Sequence, residues 1–542
     1  MASHERSQFY SPVKLPYDRS MKSPGKAAWM EIAQLADAGL RGGDKAASLI
    51  FARKRRDAAV AAKLCKQRSR SVIYHHLYKK FAKKDCVRVG VIGAGNYGTA
   101  IVTQDPHTPM MTVVAVADIS VEAARGAYEK AGIDQSTVVY CSTAGEAQQQ
   151  IEGGKRVYTD RCELIAEIAA VDIVCEATGI PEASADYALK AIENGKHVAM
   201  ITKDCDVTIG PILKKKADEA GVVYTPVDGD QHGLLIQFYE WAKSIGLTVL
   251  SGGKATDGEF IYDEAQGTVT IKTDKKIHAP YVETVTIAPE DRKYLGMIPK
   301  GQAAEYVARR REILAGLPQP GSYDLCETTV AANYTGLAPA VDTLVHAPLR
   351  ITEIPVAYCE TENGGIFETS GVIDLATCFR TPTEGGLGGG VFLVVRCDNA
   401  YSNHVLTTKG QIANYDDTAA VIYRPYHLCG VETSSSILVA GLLGLNTGSD
   451  DYRPRYDLVK VAAHDIKAGE VFGNDHSPQT TARIIPAQPV ASGNFACAHL
   501  LTGNRASIDI PAGTTITYDM VEEPVGSTLW RLRRLQDETF LA

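Results

Sequence analysis

The run Val87-Arg88-Val89-Gly90-Val91-Ile92-Gly93-Ala94-Gly95-Asn96-Tyr97-Gly98 constrains this chain most. Its β-branched residues read as a buried strand that enters G-x-G-x-x-G, and the sequence predicts a helix over 97–104. Gly93 permits the tight turn, Gly95 lets the backbone approach a pyrophosphate, and Gly98 lets the helix pack close to the strand. A second predicted strand, 111–117, ends in Asp118, 20 residues past Gly98. An acid at that place accepts hydrogen bonds from ribose hydroxyls. Gly93, Gly95, Asn96, Tyr97, Gly98 and Asp118 are therefore the candidate dinucleotide site. Thr178 and Gly179, after a further strand, complete it. Asp118 repels a 2′-phosphate, and no Lys or Arg occurs within 119–122. NAD(H) is the expected cofactor, with NADP(H) the second option.

At 542 residues the chain is too long for one core, and two to four domains are expected. No apolar stretch approaches the roughly 20 residues that span a bilayer. The first ten residues are polar, which excludes a secretory signal there. The twelve cysteines never form C-x-x-C, so a disulfide framework or zinc ribbon is not expected and a reducing cytoplasm fits. The net charge of −8 hides an asymmetry: residues 1–70 hold 15 Lys/Arg against 6 Asp/Glu. The basic run around Arg53-Lys54-Arg55-Arg56 reads as a solvated helix face or an arm on the acidic body, in preference to a site for nucleic acid or another acidic surface.

Residues 1–72 form an N-terminal basic extension. Residues 73–235 alternate strand and helix signals, which implies a doubly wound parallel sheet with ligands outside the carboxyl ends of its strands. In this stretch Asp160 is expected to cap a helix, and Pro181 and Pro211 to start two others. Residues 236–455 read as mixed α+β. Residues 456–525 carry a near-repeat, Asp465-Ile466-Lys467-Ala468-Gly469-Glu470 and Asp509-Ile510-Pro511-Ala512-Gly513-Thr514, which predicts a small β-rich domain. Residues 526–542 are read as a C-terminal tail.

Several polar residues fall where a strand ends. Lys203 can shuttle the proton that accompanies hydride transfer, its pKa lowered by burial; otherwise it is a surface lysine paired with Asp204 or Asp206. Asp228, Asp230 and His232 can ligate a divalent cation or orient a polyol, or else form a capping cluster. Lys254 can hold a phosphate or carboxylate. Glu327 and Asn333 lie on a small-residue helix whose other reading is dimer packing. His427, in Tyr423-Arg424-Pro425-Tyr426-His427-Leu428, is a candidate proton donor or ligand, or a structural histidine.

Together these residues resemble a known family. Gly195-Lys196-His197-Val198 followed by Thr202-Lys203 is similar to the segment after the fifth strand in homoserine dehydrogenases, where the matching lysine is catalytic. The wider chain, residues 73–525, resembles the deoxyxylulose-phosphate reductoisomerase-like (DRL) family. That likeness rests on Asp206 to Pro211, Lys216 to Ala220, Gly253-Lys254, Asn333 to Gly336, Gly389-Gly390-Val391-Phe392 and Tyr423 to Leu428. The resemblance implies an α/β fold: a Rossmann doubly wound parallel sheet at 73–235, a mixed α+β DRL-like catalytic and dimerisation domain at 236–455, and a small β-rich SAF (β-clip) domain at 456–525. It implies an NAD(P)-dependent oxidoreductase acting on a small polyhydroxy or hydroxy-acid substrate. Lys203, Lys254, Glu327 and His427 are then the catalytic candidates, and Asp228, Asp230, His232 and Asn333 hold substrate or a divalent metal. A homodimer or higher homo-oligomer is expected, with no membrane partner. Two other readings stay open: a metal-assisted reductoisomerase, and a non-catalytic dinucleotide- or sugar-sensing protein.

Overall fold

β-Branched runs bounded by turns build the first sheet. Val87–Ile92 (β1), Met111–Ala117 (β2), Val138–Tyr140 (β3), Arg156–Thr159 (β4), Ile173–Glu176 (β5), His197–Met200 (β6) and Tyr224–Thr225 (β7) pair in parallel throughout, in the order β3-β4-β2-β1-β5-β6-β7. β1, β2 and β5 are almost wholly buried, as strands covered on both faces must be. The order reverses between β1 and β5, the switch point outside whose carboxyl ends ligands bind in sheets of this kind. The computed structural model describes residues 73–82, 84–272 and 284–542, and the basic extension at 1–72 lies outside them.

Local chemistry starts and stops the flanking helices. Ser120 accepts from Ala123 N at 3.1 Å and opens helix Val121–Lys130. Thr143 caps Ala144–Glu152, whose Glu146 accepts in return from Ser142 N at 3.1 Å. Two expectations need correction. Asp160 caps no helix: its carboxylate accepts from the Tyr140 hydroxyl, and the short helix there is Leu164–Glu167. Pro211 does not start a helix either. It lies inside Lys203–Ala220, which begins eight residues earlier and ends at Gly221 in the left-handed conformation (φ 69°). A proline lacks only one helical hydrogen bond, and the burial of nearly all of 205–214 outweighs that loss.

The second sheet has nine strands among the described residues. Its centre is Thr248–Asp263 (β8), which pairs antiparallel with Thr268–Lys272 (β9) on one side. Thr284–Thr286 (β10) continues that edge. Ala338–Pro339 (β11) and Ala347–Leu349 (β12) pair with Val372–Arg380 (β13), which runs parallel to β8. Val391–Arg396 (β14) is antiparallel to β8, and Ile412–Ala413 (β15) and Ala420–Arg424 (β16) complete the sheet. This is the mixed α+β region. Helix Ser322–Thr335 runs through its interior with every residue but Tyr323 buried. Its Thr328, Thr329, Ala331 and Ala332 let helices Lys203–Ala220 and Gln231–Ser244 approach closely. The small-residue face is thus occupied within the chain.

Tyr456–Ala462 (β17) and Thr480–Pro486 (β18) form an antiparallel pair in the last β-rich part. The near-repeat packs against itself. Ile466 and Ile510 exchange backbone hydrogen bonds, Asp509 accepts from Ala468 N, and Asp465 accepts from Ala512 N, both at 2.9 Å. The expected tail is instead a packed helix, Thr528–Phe540. Its buried Arg533 makes a two-point ion pair with Asp457 at 2.7 Å, and Glu182 accepts from Thr528 N at 2.7 Å. Among the described residues no helix is long and apolar enough to cross a membrane.

Candidate active site

The glycine-rich turn has the geometry its sequence predicts. Gly93 adopts φ 94°, and a Cβ there would meet the backbone of Ala177. A Cβ on Gly98 would collide with the carbonyl oxygen of Gly93, whereas one on Gly95 has nothing within 4 Å. Gly98 is therefore fixed by packing, and Gly95 faces open space at the start of helix Asn96–Gln104. Asp118 sits beside the turn. Its Oδ2 accepts from Ala94 N at 2.7 Å and its Oδ1 from Ser120 N at 2.9 Å. Tyr97 turns inward: its hydroxyl pairs with Thr433 at 3.0 Å, and burial raises its pKa well above the ordinary value. Thr178 donates to the buried Glu176 carboxylate at 2.6 Å, and Gly179 N donates to Thr202 at 3.0 Å. These bonds fix the loop after β5 against the one after β6.

Lys203 is the first residue of helix Lys203–Ala220, immediately beyond β6. Its ammonium pairs with Glu327 Oε1 and lies 5.7 Å from the Tyr323 ring centre. Lys254, inside β8, pairs with Glu327 Oε2 and with Asp324 Oδ1 at 2.9 Å. The Lys254 and Glu327 side chains are 4% and 8% exposed, while Lys203 keeps 24%, so Lys203 is the most accessible of the three. The three catalytic candidates Lys203, Lys254 and Glu327 are thus one network assembled from three separate elements.

The electrostatics correct one expectation. Burial alone would lower the Lys203 pKa, but Glu327 and Asp230 outweigh it and hold it well above the ordinary lysine value. Burial likewise opposes the charge on Lys254, which Asp324 and Glu327 hold up. Glu327 feels burial pushing it up, and the two ammoniums hold it well below the carboxylate range. At neutral pH the network is fully charged. Lys203 is therefore charged and is not a ready base.

The other candidates fall in different places. His427 contacts Gly389, its Nδ1 lying 2.6 Å from the carbonyl oxygen, and Asp257 borders the same glycine. Asp230 caps helix Gln231–Ser244 by accepting from Gln231 N at 2.8 Å, and its Oδ1 lies 3.7 Å from His232 Nδ1, beyond hydrogen-bond reach. His232 is buried, and neither ring nitrogen has a hydrogen-bond partner among the described residues. The Asp228 carboxylate turns to Gln237 and Ser435, which tie β7 to residues 433–436, and burial pushes its pKa up to about 6. Asn333 bonds Tyr456 O at 2.9 Å and accepts from Arg455 N and Tyr456 N. Asp228, Asp230, His232 and Asn333 therefore do not converge on one ion; the first and last are ties between segments. Sequence reading missed Asp324 and Tyr323, whose only signal was their place one turn or less before Glu327.

Residues 313–433 match the family model described as oxidoreductase DRL, catalytic domain, and residues 459–522 match the SAF domain. The chain carries a DRL oxidoreductase catalytic domain and a SAF domain. The DRL match covers helix Ser322–Thr335 with Asp324 and Glu327, and extends through His427. Lys203 and Lys254 lie outside it, so the network joins the DRL domain to the parallel sheet and to β8.

Among solved structures, a DOX-P reductoisomerase in complex with magnesium is 16% identical over 32% of this chain and 47% of that one, with a TM-score of 0.24. The 1-deoxy-D-xylulose 5-phosphate reductoisomerase of Zymomonas mobilis with NADPH is 19% identical over 32% and 46%, TM-score 0.24. A levoglucosan dehydrogenase with NADH and L-sorbose is 16% identical over 34% and 45%, TM-score 0.23. The chain spans under half the length of each of these three, and likeness at this level says nothing about substrate. No curated protein matches the chain by sequence.

Proposed function

We propose that the protein is an NAD(P)-dependent oxidoreductase that interconverts a carbinol and a carbonyl in a small polyhydroxy or hydroxy-acid compound. One observation carries this reading: the charged Lys203 ammonium stands beyond the carboxyl end of the parallel sheet, the most accessible member of its network and backed by Glu327. The bound cofactor supplies or accepts the hydride. In the reducing direction Lys203 gives its proton to the carbonyl oxygen as the hydride reaches the carbon, so that an alcohol and the oxidised cofactor result. Glu327 then faces a neutral amine, and proton return from solvent restores the pair. Lys254 and Asp324 hold Glu327 in place, and the acids Asp230 and Asp257 give the cleft carboxylates that can accept from substrate hydroxyls. Gly93, Gly95 and Gly98 would hold the cofactor's pyrophosphate at the start of helix Asn96–Gln104.

The full chain should be mixed with NAD+ and with NADP+ against four- and five-carbon polyols, their acids and their phosphates, following nicotinamide absorbance. Reduction by at least one compound, slowed by on the order of 10²–10⁴-fold in a Lys203→Met variant, supports the proposal. Tight cofactor binding with no hydride transfer to or from any of them would overturn it in favour of a sensing protein.

A further inference from the structure

Next to the Lys203 network lies a second cluster with a different composition. Asp204, Cys326, Asp475 and His499 each direct one donor atom into a common point, all within 4.8 Å of one another. Asp204 follows Lys203, and Cys326 precedes Glu327. Asp475 and His499 come from the SAF domain. His499 Nε2 lies 3.6 Å from Asp475 Oδ2 and 3.9 Å from Asp204 Oδ1, and Cys326 Sγ lies 3.8 Å from the same Asp204 oxygen. A tetrahedral ion with ligand bonds of ~2.0 to 2.3 Å separates its ligands by roughly 3.3 to 3.8 Å. The three separations lie within or just beyond that range, and with every pair inside 4.8 Å the donors need close in by no more than about 1 Å to surround one ion.

Hydrogen bonding accounts for only part of the cluster: Cys326 Sγ donates to Asp204 Oδ1, while His499 stands at 3.6 Å or more from both carboxylates. His499 is 2% exposed and Asp475 8%, yet Asp475 Oδ2 and both His499 ring nitrogens have no hydrogen-bond partner among the described residues. Buried polar atoms are left this way rarely, and each needs an explanation. Asp475 Oδ1 is already taken by Lys460, which leaves Oδ2 pointing into the cluster. The set of one imidazole, one thiol and two carboxylates suits zinc-class ions and not the all-oxygen coordination of magnesium or calcium.

We propose that Asp204, Cys326, Asp475 and His499 bind one divalent ion of the zinc class, which clips the SAF domain to the two helices that carry Lys203 and Glu327. On binding, Cys326 loses its proton to solvent and becomes the thiolate ligand, while His499 binds as neutral imidazole. The ion carries no step of the redox reaction. It is a positioning device, because each helix ligand is one residue away from a member of the catalytic network. The proposal rests on donor geometry and not on the oxidoreductase reading, and its test reads metal directly.

The full chain, with reduced thiols, should be stripped with a chelator and titrated with Co2+. One equivalent per chain is expected, with intense visible bands of a tetrahedral site and a near-ultraviolet thiolate-to-cobalt band. Zn2+ should displace the colour. Cys326→Ser should lose the near-ultraviolet band while keeping the visible ones, and His499→Ala should lose stoichiometric binding. Cys326→Ser is nearly isosteric, so the spectral test survives if His499→Ala fails to fold. Failure of the wild-type chain to take up one equivalent, or a cobalt spectrum unchanged by Cys326→Ser, would overturn the proposal. Metal uptake by a chain that transfers no hydride would leave this proposal standing and sink only the redox one.

Discussion

Lys203 and Lys254 share the carboxylate of Glu327, one ammonium on each oxygen, although the two lysines come from a helix start and from the middle of a strand. The arrangement is costly to break on one side. Removing one partner of a buried ion network leaves uncompensated charge, at about 3–5 kcal/mol. Glu327→Gln should therefore lower the melting temperature sharply by leaving two ammoniums facing each other. Adding Lys254→Met should recover part of the loss, because one of the two repelling charges goes. Additive melting shifts in the double variant would show that the three groups are not coupled.

How much of this was legible beforehand depended on whether the signal was local. The strand, turn and acid at 87–118 follow from β-branched residues and glycine positions close in sequence. So does the self-packing of the repeat at Asp465 and Asp509. The Lys203–Glu327 pair joins residues 124 apart, and only the packing of the small-residue helix decides that they meet. Asn333 misled because its amide reads equally well as a ligand or as a backbone tie, and it is the latter. Lys203 was expected to have a lowered pKa because burial is visible in an apolar sequence context, whereas the opposing carboxylate is not. Asp204 and Cys326 gave no metal signal, since their partners Asp475 and His499 lie far along the chain.

The glycine-rich turn separates packing from ligand approach. Gly98→Ala puts a methyl into the Gly93 carbonyl, so it should lower both thermal stability and cofactor affinity. Gly95→Ala meets nothing within 4 Å and has an ordinary φ of −67°. It should leave the melting temperature unchanged and weaken cofactor binding alone. Equal cofactor affinity for Gly95→Ala and wild type, measured by calorimetry, would place the pyrophosphate elsewhere.

Asp118 should select NAD(H) over NADP(H). Its two oxygens accept from Ala94 N and Ser120 N, which holds the carboxylate beside the turn. Loss of a charge-assisted hydrogen bond costs about 1.5–3 kcal/mol, or roughly 10–100-fold in affinity. Asp118→Asn should weaken NAD+ by about that factor and narrow the gap to NADP+. Tighter binding of NADP+ than NAD+ by the wild-type chain is the outcome that defeats the prediction.

His346 should make the fold sensitive to acid. Burial lowers its pKa to about 3, and its Nε2 contacts the Thr377 hydroxyl at 2.5 Å. The unfolded chain takes up a proton near pH 6.5 that the folded chain refuses, so stability is complete above that pH and falls as pH drops towards 3. By pH 5 the loss is about 2 kcal/mol. His346→Asn, which tolerates the residue's positive φ of 50°, should show a smaller drop in melting temperature between pH 7 and 5 than wild type. An identical drop would mean that His346 is protonated in the folded chain.

The last expectation concerns Lys203 itself. Lys203→Met keeps the length of the side chain and removes its charge. Glu327 retains Lys254, so the carboxylate is not orphaned and the fold should hold. Cofactor affinity should barely change, because the proposed pyrophosphate site lies at Gly93 to Gly98, before β2. If Lys203 delivers the proton, kcat should fall by on the order of 10²–10⁴-fold, the usual contribution of general acid–base catalysis. Hydride transfer should then become insensitive to Glu327→Gln introduced into the same chain, since the carboxylate acts through the lysine. Near-wild-type turnover of Lys203→Met would reduce the Lys203–Glu327 pair to a structural tie and move the search for the proton donor to His427.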